Sequence, residues 1–271
     1  MKKHYYILTA LLFNSHISFS QQDNWDVYLA QYEKGVGSTV LNMSLKQQAP
    51  IKQFPFSLKT GVKLLKCTAE GLPTKEEFDM LYKISDKMKA IVDSVTKNKI
   101  AGTFSYQCER LDYYYVADTN NLRQLLEAAY KTNFPQYTYS IKIVPDQNWE
   151  AYLTFLYPNE ETLEYMSNEK VIMNLQKAGD GLVAPRQVDH WLYFKTEADR
   201  NQFITYAVKE KFKIESQKIL KEVPLQYQLQ ISRTDKVDIE SISTITIALR
   251  KKAKELNGDY DGWETFVVKP K

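Results

Sequence analysis

The 271-residue chain is short of the materials of metal and nucleophile chemistry. It has three histidines and two cysteines. His4 and His16 fall in the first twenty residues, which leaves His190 alone in the remainder. A tetrahedral zinc site wants several His or Cys ligands, so no metal is expected. Neither a G-x-S-x-G turn nor a cysteine beside a glycine-rich loop occurs, which argues against a nucleophilic hydrolase. There is no P-loop and no dinucleotide fingerprint, so no phosphate-bearing cofactor is expected. Charge of one sign is also missing. The formal net charge is +3, and Lys2 and Lys3 supply two of those charges. A near-neutral remainder gives no electrostatic case for nucleic acid.

Long apolar runs are absent as well. Met1-Lys2-Lys3 is a basic start, Tyr5 to Phe13 a short apolar run, and Ser15 to Ser20 a small and polar end. That is the layout of a secretory signal peptide over residues 1–21, too short to span a membrane as a mature helix. An exported protein, periplasmic or secreted, is expected, with no membrane span. Cys67 and Cys108 can pair in an oxidising compartment or stay as buried thiols, and both alternatives stand.

What is present is aromatic and apolar: 19 tyrosines, and 44% hydrophobic residues. Aromatic residues suit half-buried sheets. Trp25 to Tyr32 alternates with period two, and Ser38 to Leu45 follows across a Gly35/Gly37 turn, which reads as a hairpin. Phe56 to Cys67 is a third strand, with Gly61 as a bulge candidate. Thr74 with Glu77 reads as a capping box. Phe78, Leu81, Tyr82, Ile84, Met88, Ile91, Val92 and Val95 recur at helical spacing, the core face of a helix. Two strands over 100–116 carry the Tyr113-Tyr114-Tyr115 triplet. A helix from Leu122, capped by Asn120 or Asn121, a strand over 137–144 and a last strand from Trp149 to Tyr157 complete a mixed domain over 22–157. Its sheet is mostly antiparallel.

Residues 158–185 read as a connecting helix and linker. The remainder, 186–271, runs strand, helix, strand, strand, helix, strand. Val188, His190, Leu192 and Phe194 share one face of the first strand. Thr196 and Asp238 are the helix caps. That order is the split β-α-β, ferredoxin-like arrangement. The whole is an α+β protein of two domains. An aromatic sheet face with Trp191, Tyr193 and Tyr227 suggests base stacking, but the neutral charge speaks against it.

The most specific stretch is Gly258-Asp259-Tyr260-Asp261-Gly262-Trp263-Glu264-Thr265. Asn257-Gly258 tolerates positive φ and ends a helix, and Asp259, Asp261 and Gly262 favour tight turning. The plain reading is a structural corner. The sharper reading is a partner-binding surface of Tyr260, Asp261, Trp263 and Glu264, with aromatic anchors in an acidic rim. Asp259 and Asp261 are also the pair that a cell-envelope hydrolase would use.

The first domain resembles an uncharacterised bacterial family of unstated function, through Trp25-x-Val27-Tyr28, Gly35-x-Gly37-Ser38, Ala49-Pro50, Gly71-Leu72-Pro73 with Glu76-Glu77, Ala101-Gly102 and Tyr113-Tyr114. The last third, with its element order and the closing Tyr260-Asp261-Gly262-Trp263-x-Thr265, resembles the regulator of ribonuclease E activity B family. That resemblance implies a small, non-catalytic inhibitor that binds an endoribonuclease. The family pattern has Gly where this chain has Glu264, and with the export signal this points to a protein partner other than the ribonuclease.

Overall fold

The computed structural model describes residues 23–269. Residues 1–21, read as a signal peptide, lie outside that range. The chain divides into two compact units. The first runs to Leu156, except that Tyr28–Gln31 groups with the second, which otherwise begins at Tyr157.

The first unit holds β1 (Trp25–Tyr32), β2 (Gly35–Asn42), β3 (Phe56–Lys63), α1 (Phe78–Val95), β4 (Asn98–Tyr106), β5 (Glu109–Val116), α2 (Leu122–Asn133) and β6 (Tyr139–Pro145). Its sheet has the order β1-β2-β4-β5-β3-β6. The α1 stripe packs as its spacing predicts, except that Tyr82 is exposed. Leu81, Ile84, Met88 and Val92 join Leu126 and Tyr130 of α2 over Leu58, Val62, Tyr114 and Val116 of the sheet.

The tyrosine triplet divides between the two sheet faces, because successive strand residues point opposite ways. Tyr114 enters the helix-covered core. Tyr115 stacks on Trp149 at 3.8 Å and 6° on the other face. There the strand expected over 149–157 is instead a helical turn, Ala151–Leu156. Asp146 starts it by accepting the N–H groups of Glu150 (2.8 Å) and Ala151 (3.0 Å). Trp149, Tyr152 and Leu156 then fall at helical spacing, and all are fully buried.

Three smaller expectations also change. Glu77 forms no capping box with Thr74. Its carboxylate turns inward to accept Leu65 N–H (2.9 Å) and Tyr137 O–H (3.1 Å), since a buried acid needs donors. Asn121 sits at the N-terminus of α2 in a left-handed conformation without a side-chain cap. Gly61 lies in regular register opposite Leu111, with no bulge. A Cβ there would come within 1.9 Å of the Arg110 carbonyl oxygen, so the residue serves close strand approach. Cys67 and Cys108 form a disulfide.

The second unit holds α3 (Glu160–Lys177), β7 (Arg186–Phe194), α4 (Glu197–Lys209), β8 (Lys213–Ile219), β9 (Tyr227–Asp235), α5 (Ile239–Glu255) and β10 (Gly258–Thr265). Its sheet order is β10-β7-β9-β8, antiparallel throughout. That is the ferredoxin-like arrangement, with α4 and α5 on one face. Phe203, Ala207, Leu249 and Ala253 of these helices pack on Leu192, Phe194, Leu229 and Ile231. Thr196 and Asp238 cap as expected, accepting from Asp199 N–H and Ser241 N–H.

The segment read as a connector belongs to this unit. Ile172 and Leu175 of α3 share a core with Val188, Val237, Ile242 and Trp263. The stretch read as linker is fastened too. Asp180 is ion-paired with Arg186 and accepts the N–H groups of Leu182 (2.7 Å) and Val268 (2.6 Å).

Candidate functional site

The stretch 258–265 is a strand rather than a turning corner, and it forms an outer edge of the second sheet. Asn257 ends α5 at φ +52°, and β10 begins at once. The turn-prone residues make a bulge inside the strand: the register with β7 shifts between Tyr260 and Gly262, so Asp261 is the extra residue. Gly262 has φ +145° with open space around it, so backbone conformation demands glycine there.

The bulge sorts the four residues expected to bind a partner. Tyr260 is 1% exposed and Trp263 8%. Tyr260 O–H lies 2.9 Å from His190 Nδ1. Trp263 donates Nε1–H to Asn168 Oδ1 at 2.8 Å, and Asn168 donates on to Ser243 Oγ (3.0 Å) and Thr246 Oγ1 (2.9 Å). These two aromatics are therefore packing residues that tie β10 to β7, α3 and α5, and they cannot serve as surface anchors. Asp261 and Glu264 point outward, as does Asp259. The outward set of this edge is acidic.

His190 is fully buried against Phe212 and Tyr260, with its Nε2 unbonded. Burial, reinforced by the nearby Arg233 charge, pushes its pKa down to about 3. It is a neutral core histidine throughout the physiological range. Among the described residues no group of His, Cys, Asp and Glu is placed to hold a metal.

Beside the β10 edge lies a cleft of about 520 Å³, lined by Glu160, Leu163, Glu164, Ser167, Arg250, Lys254, Gly258 and Asp259. Arg250 is its centre. It donates Nε–H to the buried Glu164 at 2.5 Å and Nη1–H to Asp259 at 3.3 Å, and it lies over the Tyr260 ring. Lys254 pairs with Glu160, whose pKa is lowered by that hydrogen bond. Each cleft carboxylate is thus tied to a cation. Asp259 lines this cleft and Asp261 does not, so the pair expected of a hydrolase does not come together in it.

Sequence reading missed this cleft. Its signal was present as Glu160/Glu164 and Arg250/Lys254, each four apart on a helix, but nothing local says that the two helices meet.

Residues 166–265 match the family Regulator of ribonuclease activity B. The second unit carries that likeness. The regulator match starts inside α3 and stops at the last residue of β10, so it contains the acidic edge, the Trp263–Asn168 network and the two cations of the cleft. Residues 23–157 match a family of unknown function (DUF695). No curated protein matches the chain.

Proposed function

We propose that the second unit is a non-catalytic, protein-binding regulatory module, docking its partner along the β10 edge. The observation that carries this reading is the sorting of that edge within a ribonuclease-regulator-like fold. Its apolar side chains are locked inside while Asp259, Asp261 and Glu264 face out, on a strand that is terminal in its sheet among the described residues. Free edge backbone supplies hydrogen bonds to an added strand, and the acids select a basic partner. The same acids keep the edge from pairing with other copies.

The partner is a protein of the cell envelope other than ribonuclease E. The Met1-Lys2-Lys3 start with its apolar run supports export, and the Cys67–Cys108 disulfide suits an oxidising compartment. The double charge reversal Asp261→Lys with Glu264→Lys changes only outward side chains. It should cut capture of an envelope partner at least tenfold with an unchanged melting temperature. Undiminished capture by this variant sinks the edge-docking reading. Fractionation that finds the chain entirely in the cytoplasm sinks the export.

A further inference from the structure

The helix-covered face of the first unit's sheet carries a pocket that the reading above does not use. It measures about 280 Å³ and is lined by Ser38, Val40, Leu72, Pro73, Phe78, Tyr82, Thr103, Ser105 and Arg110. Strand register builds its floor. Ser38 pairs with Ser105, which pairs with Arg110; the next row is Val40, Thr103 and Asp112. A row across neighbouring strands points to one face, so two hydroxyls lead to one guanidinium. Phe78 and Tyr82, stacked at 5.8 Å on the first turns of α1, supply an aromatic wall.

Arg110 is the one charged side chain among the described lining residues. Its charge is answered only in part: the guanidinium lies over the Tyr82 ring, 5.4 Å from the centroid. The side chain is 12% exposed, and the nearest carboxylate oxygen, of Asp112, stands 4.0 Å from Nε. Nε is buried with no hydrogen-bond partner. Asp112 is engaged elsewhere, accepting from Thr103 Oγ1 at 2.8 Å. Burial raises its pKa, against the lowering pull of the Arg110 charge and of the Ser85 and Thr103 hydrogen bonds. A guanidinium presents five N–H donors in a planar fork that matches a carboxylate. Leaving such a group under-bonded in a half-apolar pocket is costly unless a ligand completes it.

We propose that this pocket binds a small carboxylate with an apolar body, the Arg110 guanidinium taking the carboxylate and the Phe78–Tyr82 wall taking the body. The hydroxyls of Ser38, Ser105 and Thr103 are the remaining polar partners. The Leu72–Pro73 side of the pocket is fixed to the β4–β5 turn. Cys108 N–H donates to Gly71 carbonyl at 2.9 Å, and the disulfide joins Cys108 to Cys67 just upstream. A preformed wall lowers the ordering cost of binding. The carboxylate belongs either to a free small acid or to a peptide C-terminus.

The test is calorimetric titration of the full mature chain with 3-phenylpropionate and with its neutral amide. A second arm uses the tripeptide Gly-Gly-Phe with a free or an amidated C-terminus. The acid should bind and its amide about tenfold to a hundredfold more weakly, the span expected for losing a charged hydrogen-bonded pair. Arg110→Gln should lose the acid to the same extent, and Arg110→Lys should recover part of it. Should Arg110→Gln fail to fold, the acid-against-amide comparison on the unaltered protein still decides. Tighter binding of the free-terminus tripeptide assigns the site to peptide ends; binding of the small acid alone assigns it to free acids. Equal affinity for acid and amide, or no binding of any probe, overturns the proposal.

Discussion

The two units use one fold class and hold it together differently. The first fills both faces of its sheet with rings and aliphatic chains, Tyr115 on Trp149 on one side and Tyr114 with Leu126 on the other, and its buried acids rest on neutral donors, Glu77 on Leu65 N–H and Tyr137 and Asp112 on Thr103. The second buries polar and charged groups at the joints: Trp263 with Asn168, Ser243 and Thr246, then Asp180 with Arg186, then Glu164 with Arg250. Apolar packing tolerates exchange of similar shapes, whereas a buried polar network fails when one member is removed. Removing one partner of a buried ion pair leaves a charge behind, so the second unit should be the more fragile to loss of an acid at the Asp180–Arg186 and Glu164–Arg250 joints.

The largest effect tests that contrast directly. Asp180→Ala leaves Arg186 buried without its carboxylate, and should cost about 3–5 kcal/mol. Trp263→Ala leaves a cavity and an unbonded Asn168, for about 3–5 kcal/mol. Urea unfolding read by amide exchange in β7 and β10 checks both; a loss under 1 kcal/mol would mean that these joints are dispensable. Because Trp263 is internal, alanine there reports on stability and not on docking.

In the first unit the expected weak point is covalent. Removing the Cys67–Cys108 bond, by Cys67→Ala with Cys108→Ala, should cost about 2–4 kcal/mol. Amide exchange in β4 and β5 should show the loss while β7 and β10 stay protected. Equal loosening of both sets would refute the separation.

The smallest effect is a pH contrast between two buried aspartates. The Arg186 hydrogen bond pulls the Asp180 pKa down to about 2. Its contribution is present above the ordinary aspartate range near 4 and is lost as pH falls through about 2. Burial pushes Asp112 the other way. Its ionisation therefore opposes folding as pH rises past that range. Between pH 4 and pH 2 the second unit should weaken, and Asp180→Asn should flatten that slope. An unchanged slope in the variant would show that Asp180 is not the group responsible.

Period-two strands and periodic helices were legible because each residue's environment follows from its own spacing. The alternation in β7 predicted its buried face, Val188 through Phe194, residue by residue. The caps Thr196 and Asp238 were legible because a cap bonds within three residues. The 149–157 segment was misread because its aromatic residues suit a strand, although Trp149 and Tyr152, three apart, share a face only in a helix. The acidic edge was half legible. The acids were visible, but Tyr260 and Trp263 read as surface anchors until the partners of their polar atoms, His190 and Asn168, 70 and 95 residues away, were in place.

By itself the sequence settled the local order of elements outside 149–157, the mixed class of both units and the scarcity of metal and nucleophile chemistry, since these follow from spacing and composition. Tertiary structure alone decided which side of β10 faces out, that α3 belongs to the second core, and that Arg110 stands under-bonded among hydroxyls and rings. Those facts depend on which distant strands and helices pack together, and burial is a property of that packing rather than of any residue.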